Sequence, residues 1–210
     1  MMIVDKFDTI IFDFDGVIVD SKEIRIRGFK NIFDEFSESL VKSLIDYHNK
    51  NGGISRYEKI EWFYKNLLKK NIDKKTLDSK AFQFKEIMLK EMINPNIIFQ
   101  ETLNFIKNIH LKLPCYIISG SDEEELKIIC EKLNIKKYFN DIKGSPTKKV
   151  DLIAKFVRNN KFKNDRILYI GDSLVDYKSA KNNNIKFFGF NNKDLKKISD
   201  YYIDSFEFLT

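Results

Sequence analysis

Residues 6–13, KFDTIIFD, form an apolar run that ends in one carboxylate, Asp13, and is followed two residues later by another, Asp15. Such a run reads as a short buried strand with both acids at its carboxyl end. Carboxylates are costly beside an apolar core unless they are paired or used. The same grammar returns twice. CYIIS at 115–119 follows Pro114 and ends in Gly120, after which Asp122 can cap a helix running to about Leu133. RILYIGDS at 166–173 supplies a strand over 166–170, a polar loop from Gly171 and a helix near 175–181, with a further strand at 185–190. Helix-forming residues at 150–157 precede this unit, and 201–203 reads as a small edge strand. Strand, polar turn and helix in alternation predict a parallel α/β sheet with right-handed crossovers and a ligand crevice at the strands' carboxyl ends.

Between the first two strands the rhythm breaks. Ile24, Phe29, Ile32, Phe33 and Phe36, then Tyr57, Ile60, Phe63, Tyr64 and Leu67, recur at helical spacing, and no strand is evident. The expected architecture is a Rossmann-like α/β core made of residues 1–20 and 99–210, carrying a helical insert at 21–98. Gly52 and Gly53 divide the insert, and the turn at Asn94, Pro95 and Asn96 closes it. Trp62 and Phe63 read as core of the insert, and His48 and His110 as helix or loop residues.

The 210 residues suffice for one good-sized domain or a domain with an insertion. A 43% hydrophobic and 32% charged composition is that of a folded globular chain. No apolar run approaches the roughly 20 residues that cross a bilayer, and Asp5 and Asp8 interrupt the place of a signal peptide, so a cytoplasmic protein without membrane partners is expected. Cys115 and Cys130 fit neither a CxxC motif nor a disulfide framework and read as reduced packing residues. The net charge of +6 comes mostly from scattered lysine pairs such as Lys69 and Lys70. Without a basic stripe interleaved with aromatics it favours small anions over nucleic acid. The sequence is silent on oligomeric state.

Four polar groups thus fall at or beyond strand ends: Asp13 with Asp15, Ser119, a lysine at 148 or 149, and Asp172 with Asp176. Acidic side chains with one lysine and one hydroxyl suit phosphoryl transfer through an aspartyl phosphate, in which a hard, oxygen-ligated cation offsets the gathered negative charge. In this order, FDFDGVIVDS (12–21), Ser119 at the end of IIS, the lysine in GSPTKK and GDSLVD (171–176) resemble the four motifs of the haloacid dehalogenase superfamily, over nearly the whole chain. The phosphoglycolate phosphatase and β-phosphoglucomutase-like subgroup is the nearest resemblance.

That resemblance implies roles. Asp13 would be the nucleophile. Asp15 would be general acid and then base, a task for a carboxyl whose pKa is raised by its neighbours. Mg²⁺ would be held by Asp13, the backbone carbonyl of Asp15, and Asp172. Ser119 and Gly120 would meet the phosphoryl group, and Lys149, preferred over Lys148, would supply a positive charge. Asp176 would position the lysine or a metal-bound water, and the insert would act as a helical cap. Gly53, Ile54, Ser55 and Arg56 resemble a substrate-specificity loop, making Arg56 a candidate anion clamp. The histidine that mutases carry on the first cap helix is replaced here by Arg25. The reading that follows is a Mg²⁺-dependent phosphatase acting on a small phosphorylated metabolite. A phosphomutase is the alternative and a non-catalytic phosphometabolite-binding protein a distant third.

Overall fold

The computed structural model describes residues 3–209. Six strands form one parallel sheet: β1 (Thr9–Phe12), β2 (Cys115–Asp122), β3 (Asp141–Ser145), β4 (Ile167–Gly171), β5 (Lys186–Phe190) and β6 (Tyr201–Ile203), in the order β3-β2-β1-β4-β5-β6. The chain builds outward from β1 through β2 to β3, then crosses back to β4 and builds outward the other way. The order reverses at β1, and in open parallel sheets the crevice at such a reversal is where ligands bind.

Among the described residues eight α-helices complete the fold: α1 (Lys22–Ile32), α2 (Glu38–Lys50), α3 (Arg56–Trp62), α4 (Lys74–Glu91), α5 (Gln100–Ile109), α6 (Glu123–Lys132), α7 (Lys149–Asn159) and α8 (Leu174–Asn182). Strand side chains alternate between two faces. Ile10 and Phe12 pack with Phe105 and Ile106 of α5 and with Leu126 and Ile129 of α6. Ile11 turns the other way, toward Leu152 and Ile153 of α7 and Ala180 of α8. Both faces of the sheet are covered, as parallel sheets require. Cys115 and Cys130 are free and buried. Among the described residues no helix is long and apolar enough to cross a membrane.

Sequence reading missed two elements. β3, DIKGS, contains one apolar residue, Ile142, so it carries neither alternation nor an apolar run. Its backbone runs so close to β2 that a Cβ at Gly144 would lie 2.3 Å from the Ser121 carbonyl oxygen. α5 buries Leu103, Phe105, Ile106 and Ile109 at helical spacing but stands beside the end of the insert, where no strand preceded it to announce an α/β unit. Elsewhere the reading falls within a few residues of the elements, and Asp122 caps α6 by accepting the Glu125 N–H.

Helices α1 to α4 follow β1 and pack on one another. Phe29, Phe33, Leu44, Ile60, Phe63, Phe84 and Met88 are almost fully enclosed between them. Trp62 stacks on Tyr47 with ring centroids 3.8 Å apart, as a core residue does. The segments of chain entering and leaving this insert pair antiparallel at Val19 and Ile98, with Asp20 N donating to Ile97 O and Phe99 N to Ile18 O. Only these two crossings tie the insert covalently to the sheet.

Phe33 is 0% exposed and lies 4.3 Å from Phe63, centroid to centroid. Phe33→Ala is expected to cost about 3–5 kcal/mol of unfolding free energy, read as a lower denaturation midpoint in urea. A loss below about 1 kcal/mol would mean that the insert's packing does not contribute to the cooperative unit.

Candidate active site

The loops after β1, β2 and β4 meet at the sheet reversal. Asp13 directly follows β1, its N–H donating to Ile170 O of β4 at 2.9 Å. Its Oδ1 accepts the Phe14 N–H at 2.8 Å and faces Lys149 Nζ at 3.0 Å. Lys149 opens α7 and is ion-paired on its other side with Asp176, from the first turn of α8. Asp176 is saturated. Its Oδ1 takes Lys149 and the Tyr169 hydroxyl at 2.9 Å, and its Oδ2 takes Ser173 N at 3.0 Å and Ser173 Oγ at 2.7 Å. Ser173 in turn accepts Asp176 N, closing a reciprocal capping box that fixes the start of α8. Of the two lysines left open by sequence, Lys149 is thus brought to Asp13. Lys148 stands exposed, its nearest acid being Glu58 at 4.0 Å.

Carboxylate oxygens of Asp13, Asp172 and Asp176 lie within 4.8 Å of one another. Burial, then the neighbouring Asp176 and Asp172, push Asp13 well above the ordinary carboxylate range against the pull of Lys149. Burial and then Asp176 push Asp172 to about 7. Lys149 is raised as well, but for the opposite reason: burial would lower it, and Asp13 and Asp176 outweigh burial. Three acids face one ammonium, and no side chain among the described residues donates to the Asp172 carboxylate. Oxygen donors with surplus negative charge fit a hard divalent cation of the magnesium type. Asp13 and Asp172 are free to ligate it, whereas Asp176 is spent on Lys149, Tyr169 and Ser173. The backbone at Asp15 and Gly16 closes this side. Gly16 has φ +78°, and a Cβ there would lie 2.0 Å from Asp172 Oδ2, so the turn has no room for a side chain.

Asp15 departs from expectation. Its carboxylate turns to the insert, accepting Arg25 Nε at 3.0 Å and Nη2 at 3.2 Å, Ser121 Oγ at 2.5 Å, and Ser21 Oγ. Burial acts to raise its pKa, but Arg25 and then the two hydroxyls outweigh it and hold the group at about 2. The raised pKa anticipated for an acid catalyst is therefore not found in this closed arrangement. Ser119 is 1% exposed, and its Oγ accepts Ser121 N at 3.2 Å.

The insert closes directly over these groups. A Cβ at Gly120 would lie 2.2 Å from the Gly53 carbonyl oxygen, so the loop between α2 and α3 rests on the backbone near the carboxyl end of β2. A cavity of about 70 Å³ remains along this seam, walled by Gly53, Ser55, Glu58, Gly120, Ser145 and Lys149. Arg56, read from sequence as an anion clamp, is 5% exposed and already matched: its guanidinium is ion-paired with Glu125 and lies 4.9 Å over the Phe84 ring. Glu125 also takes Arg25 Nη1 at 3.0 Å. One fully buried carboxylate on α6 thus holds two arginines of the insert.

Sequence reading missed Glu125, Tyr169, Lys59 and His48 as parts of the site. Glu125 hides in the acidic run 123–125, which resembles a solvated helix start, although its position four residues before Ile129 puts it on the buried face of α6. Tyr169 looks like one more core residue of β4. Lys59 and His48 touch each other across α3 and α2, Lys59 Nζ lying 2.9 Å from His48 Nδ1, and no sequence spacing announces that contact.

The sequence profile of the haloacid dehalogenase-like hydrolases matches residues 10–190. The chain belongs to that family. Members of the family's fold among solved structures include a β-phosphoglucomutase from Clostridium difficile at 16% identity and TM-score 0.78, covering 97% of this chain and 93% of that one. CbbY from Rhodobacter sphaeroides, solved with xylulose-(1,5)bisphosphate, is similar at 17% identity and TM-score 0.74, with 95% of each chain covered. The hydrolase YfnB from Bacillus subtilis, solved with magnesium, is similar at 19% identity and TM-score 0.68, with 96% of each chain covered. No curated protein matches the chain by sequence. The hydrolase family and the parallel-sheet fold are therefore both in hand, and the acids at β1 and β4 lie within the matched span.

Two measurements probe this geometry. Gly120→Ala should prevent the Gly53 loop from seating and enlarge the radius of gyration in solution scattering, whereas an unchanged radius would mean that the loop shifts to accommodate the methyl. His48 concerns pH. Burial and then Lys59 push its pKa down to about 3, below the unfolded value of about 6.5. Between those values the unfolded chain binds a proton that the folded chain does not, so His48 makes stability fall as pH drops from 6.5 toward 3. His48→Gln should lose less stability than the parent on going from pH 6.5 to pH 4, measured by chemical denaturation at both.

Proposed function

We propose that this hydrolase is a Mg²⁺-dependent phosphatase that removes the phosphoryl group of a small phosphorylated metabolite through an aspartyl phosphate on Asp13. The observation that carries the reading is the arrangement Asp13, Lys149, Asp176: a buried carboxylate whose one side-chain cation is locked in place by a second, saturated carboxylate. Asp13 would attack phosphorus in line, and the bond to the leaving alkoxide would break. Water would then attack the acyl phosphate and release inorganic phosphate, splitting one slow hydrolysis into two easier steps. Lys149 would neutralise phosphoryl oxygens while keeping Asp13 aimed, and Ser119 Oγ and the Gly120 backbone would meet the same group. When bound, Mg²⁺ would offset the charge gathered between Asp13, Asp172 and the phosphate; the Asp15 backbone carbonyl completes the protein's share of its donors.

As it stands Asp15 has two donors on each carboxylate oxygen, so it would have to leave Arg25 to act as base for water in the second step. As the acid of the first step it must likewise leave Arg25. Movement of α1 with the rest of the insert, residues 21–98, about the Val19 and Ile98 pairing would supply that release. Closure over the core, residues 1–20 and 99–210, would exclude water from the first step.

Against the phosphomutase alternative, Arg25 stands where mutases are expected to carry histidine, which supports hydrolysis.

Asp13→Asn is expected to reduce phosphate release from a panel of phosphorylated metabolites by at least about 1,000-fold, and chelation of the metal to abolish it in the parent. Phosphate release that survives Asp13→Asn would overturn the reading.

A further inference from the structure

Lys59 lies on α3, one turn beyond the start of the helix that carries Arg56, and is 5% exposed. Buried cations are ordinarily paired with an acid, and the other buried cations around the crevice obey that rule. Arg25 has Asp15 and Glu125, Arg56 has Glu125, and Lys149 has Asp13 and Asp176. Among the described residues Lys59 alone of these four has no carboxylate within ion-pair distance. Its neighbours are the His48 ring at 2.9 Å and the Phe29 ring, whose centroid is 5.9 Å from Nζ.

An ammonium can only donate, so His48 Nδ1 accepts and the ring proton sits on Nε2. The depressed pKa of His48 is in keeping with a neutral acceptor. This contact uses one of three ammonium protons. Burial and then the charge of Arg25 pull Lys59 down to about 7, with Asp15 opposing and Lys149 assisting. The arrangement is costly in isolation and becomes favourable when an anion arrives.

Resting on the phosphatase reading, we infer that Lys59, oriented by His48, is the specificity-determining residue of the insert and recognises a second anionic group, carboxylate or phosphate, on the non-reacting part of the substrate. Arg56, the residue that the sequence marks for this task, cannot perform it while Glu125 neutralises it. Ser55 and Glu58, from the same stretch of chain as Lys59, wall the cavity beside Lys149, and a cavity of about 70 Å³ suits a short ester. The substrate class is therefore a short phosphomonoester with two anionic ends.

The test compares three two-carbon esters with the full-length protein and Mg²⁺: phosphoglycolate, ethanediol bisphosphate and ethyl phosphate. The parent should favour one or both dianion-ended esters, which identifies the anion, and Lys59→Met should lower the ratio of their kcat/KM to that of ethyl phosphate about 10- to 100-fold, the worth of one charge-assisted hydrogen bond. Lys59→Arg should restore part of the ratio. Removal of an unpaired buried charge should leave the melting temperature of Lys59→Met at or above the parent's, and Lys59→Gln provides a polar counterpart. A ratio unchanged by Lys59→Met, or a parent indifferent to the second anion, overturns the inference. Calorimetric binding of the same esters to Asp13→Asn protein, with and without Lys59→Met, separates the two readings. Lys59-dependent anion binding without turnover in the parent leaves Lys59 standing and sinks the phosphatase; binding that ignores Lys59 sinks the inference whatever the turnover.

Discussion

The ammonium of Lys149 between Asp13 and Asp176 is the contact on which the site depends. It ties together the ends of β1, α7 and α8, which come from three well-separated parts of the chain. A lysine buried to this degree is stable as a cation only because two acids flank it, and the acids are tolerable only because of the lysine. Asp176 is the fixed member. With four donors on two oxygens it has no freedom to swing, and so the lysine cannot follow the ligand either. Asp13 is the free member, held by one backbone N–H and the lysine. A preorganised cation beside a nucleophile that keeps an unsatisfied oxygen is the arrangement that phosphoryl transfer rewards, because the protein supplies charge and alignment without reorganising at the moment of reaction.

A second charge network sits above the first and answers a different need. Glu125 receives two arginines from different helices of the insert, and Arg25 continues to Asp15. The network joins insert to core through charged groups packed over the Phe84 ring. Charged contacts of this kind would regain water if the insert opened, which would suit the proposed release of Asp15 from Arg25.

The sheet, its topological switch and the motif acids were legible because the strand ends that carry Asp13, Ser119 and Asp172 are flanked by apolar runs, where an acid is too costly to keep unless it is paired or used. The motif already favours Lys149 over its neighbour Lys148, and the fold supplies the reason, since the first turn of a helix presents successive residues to opposite environments. β3 escaped because a strand packed edge-on against β2 needs small residues such as Gly144 more than hydrophobic ones. Arg56 was misread for a related reason: its motif predicts where the side chain starts, and Glu125, 69 positions away, decides what it binds.

That last contrast bears on how selectivity arises in such a fold. A cation in a specificity loop discriminates between substrates only to the extent that no protein acid has already neutralised it. In this chain the acid on α6 cancels the loop arginine, and the uncancelled charge moves one turn along the same helix to Lys59. The two positions lie on one short helix, so removal of Glu125 would add a second unpaired cation at Arg56 beside Lys59. The substrate preference of such an enzyme is written in the pairing of its charges more than in the motif that carries them.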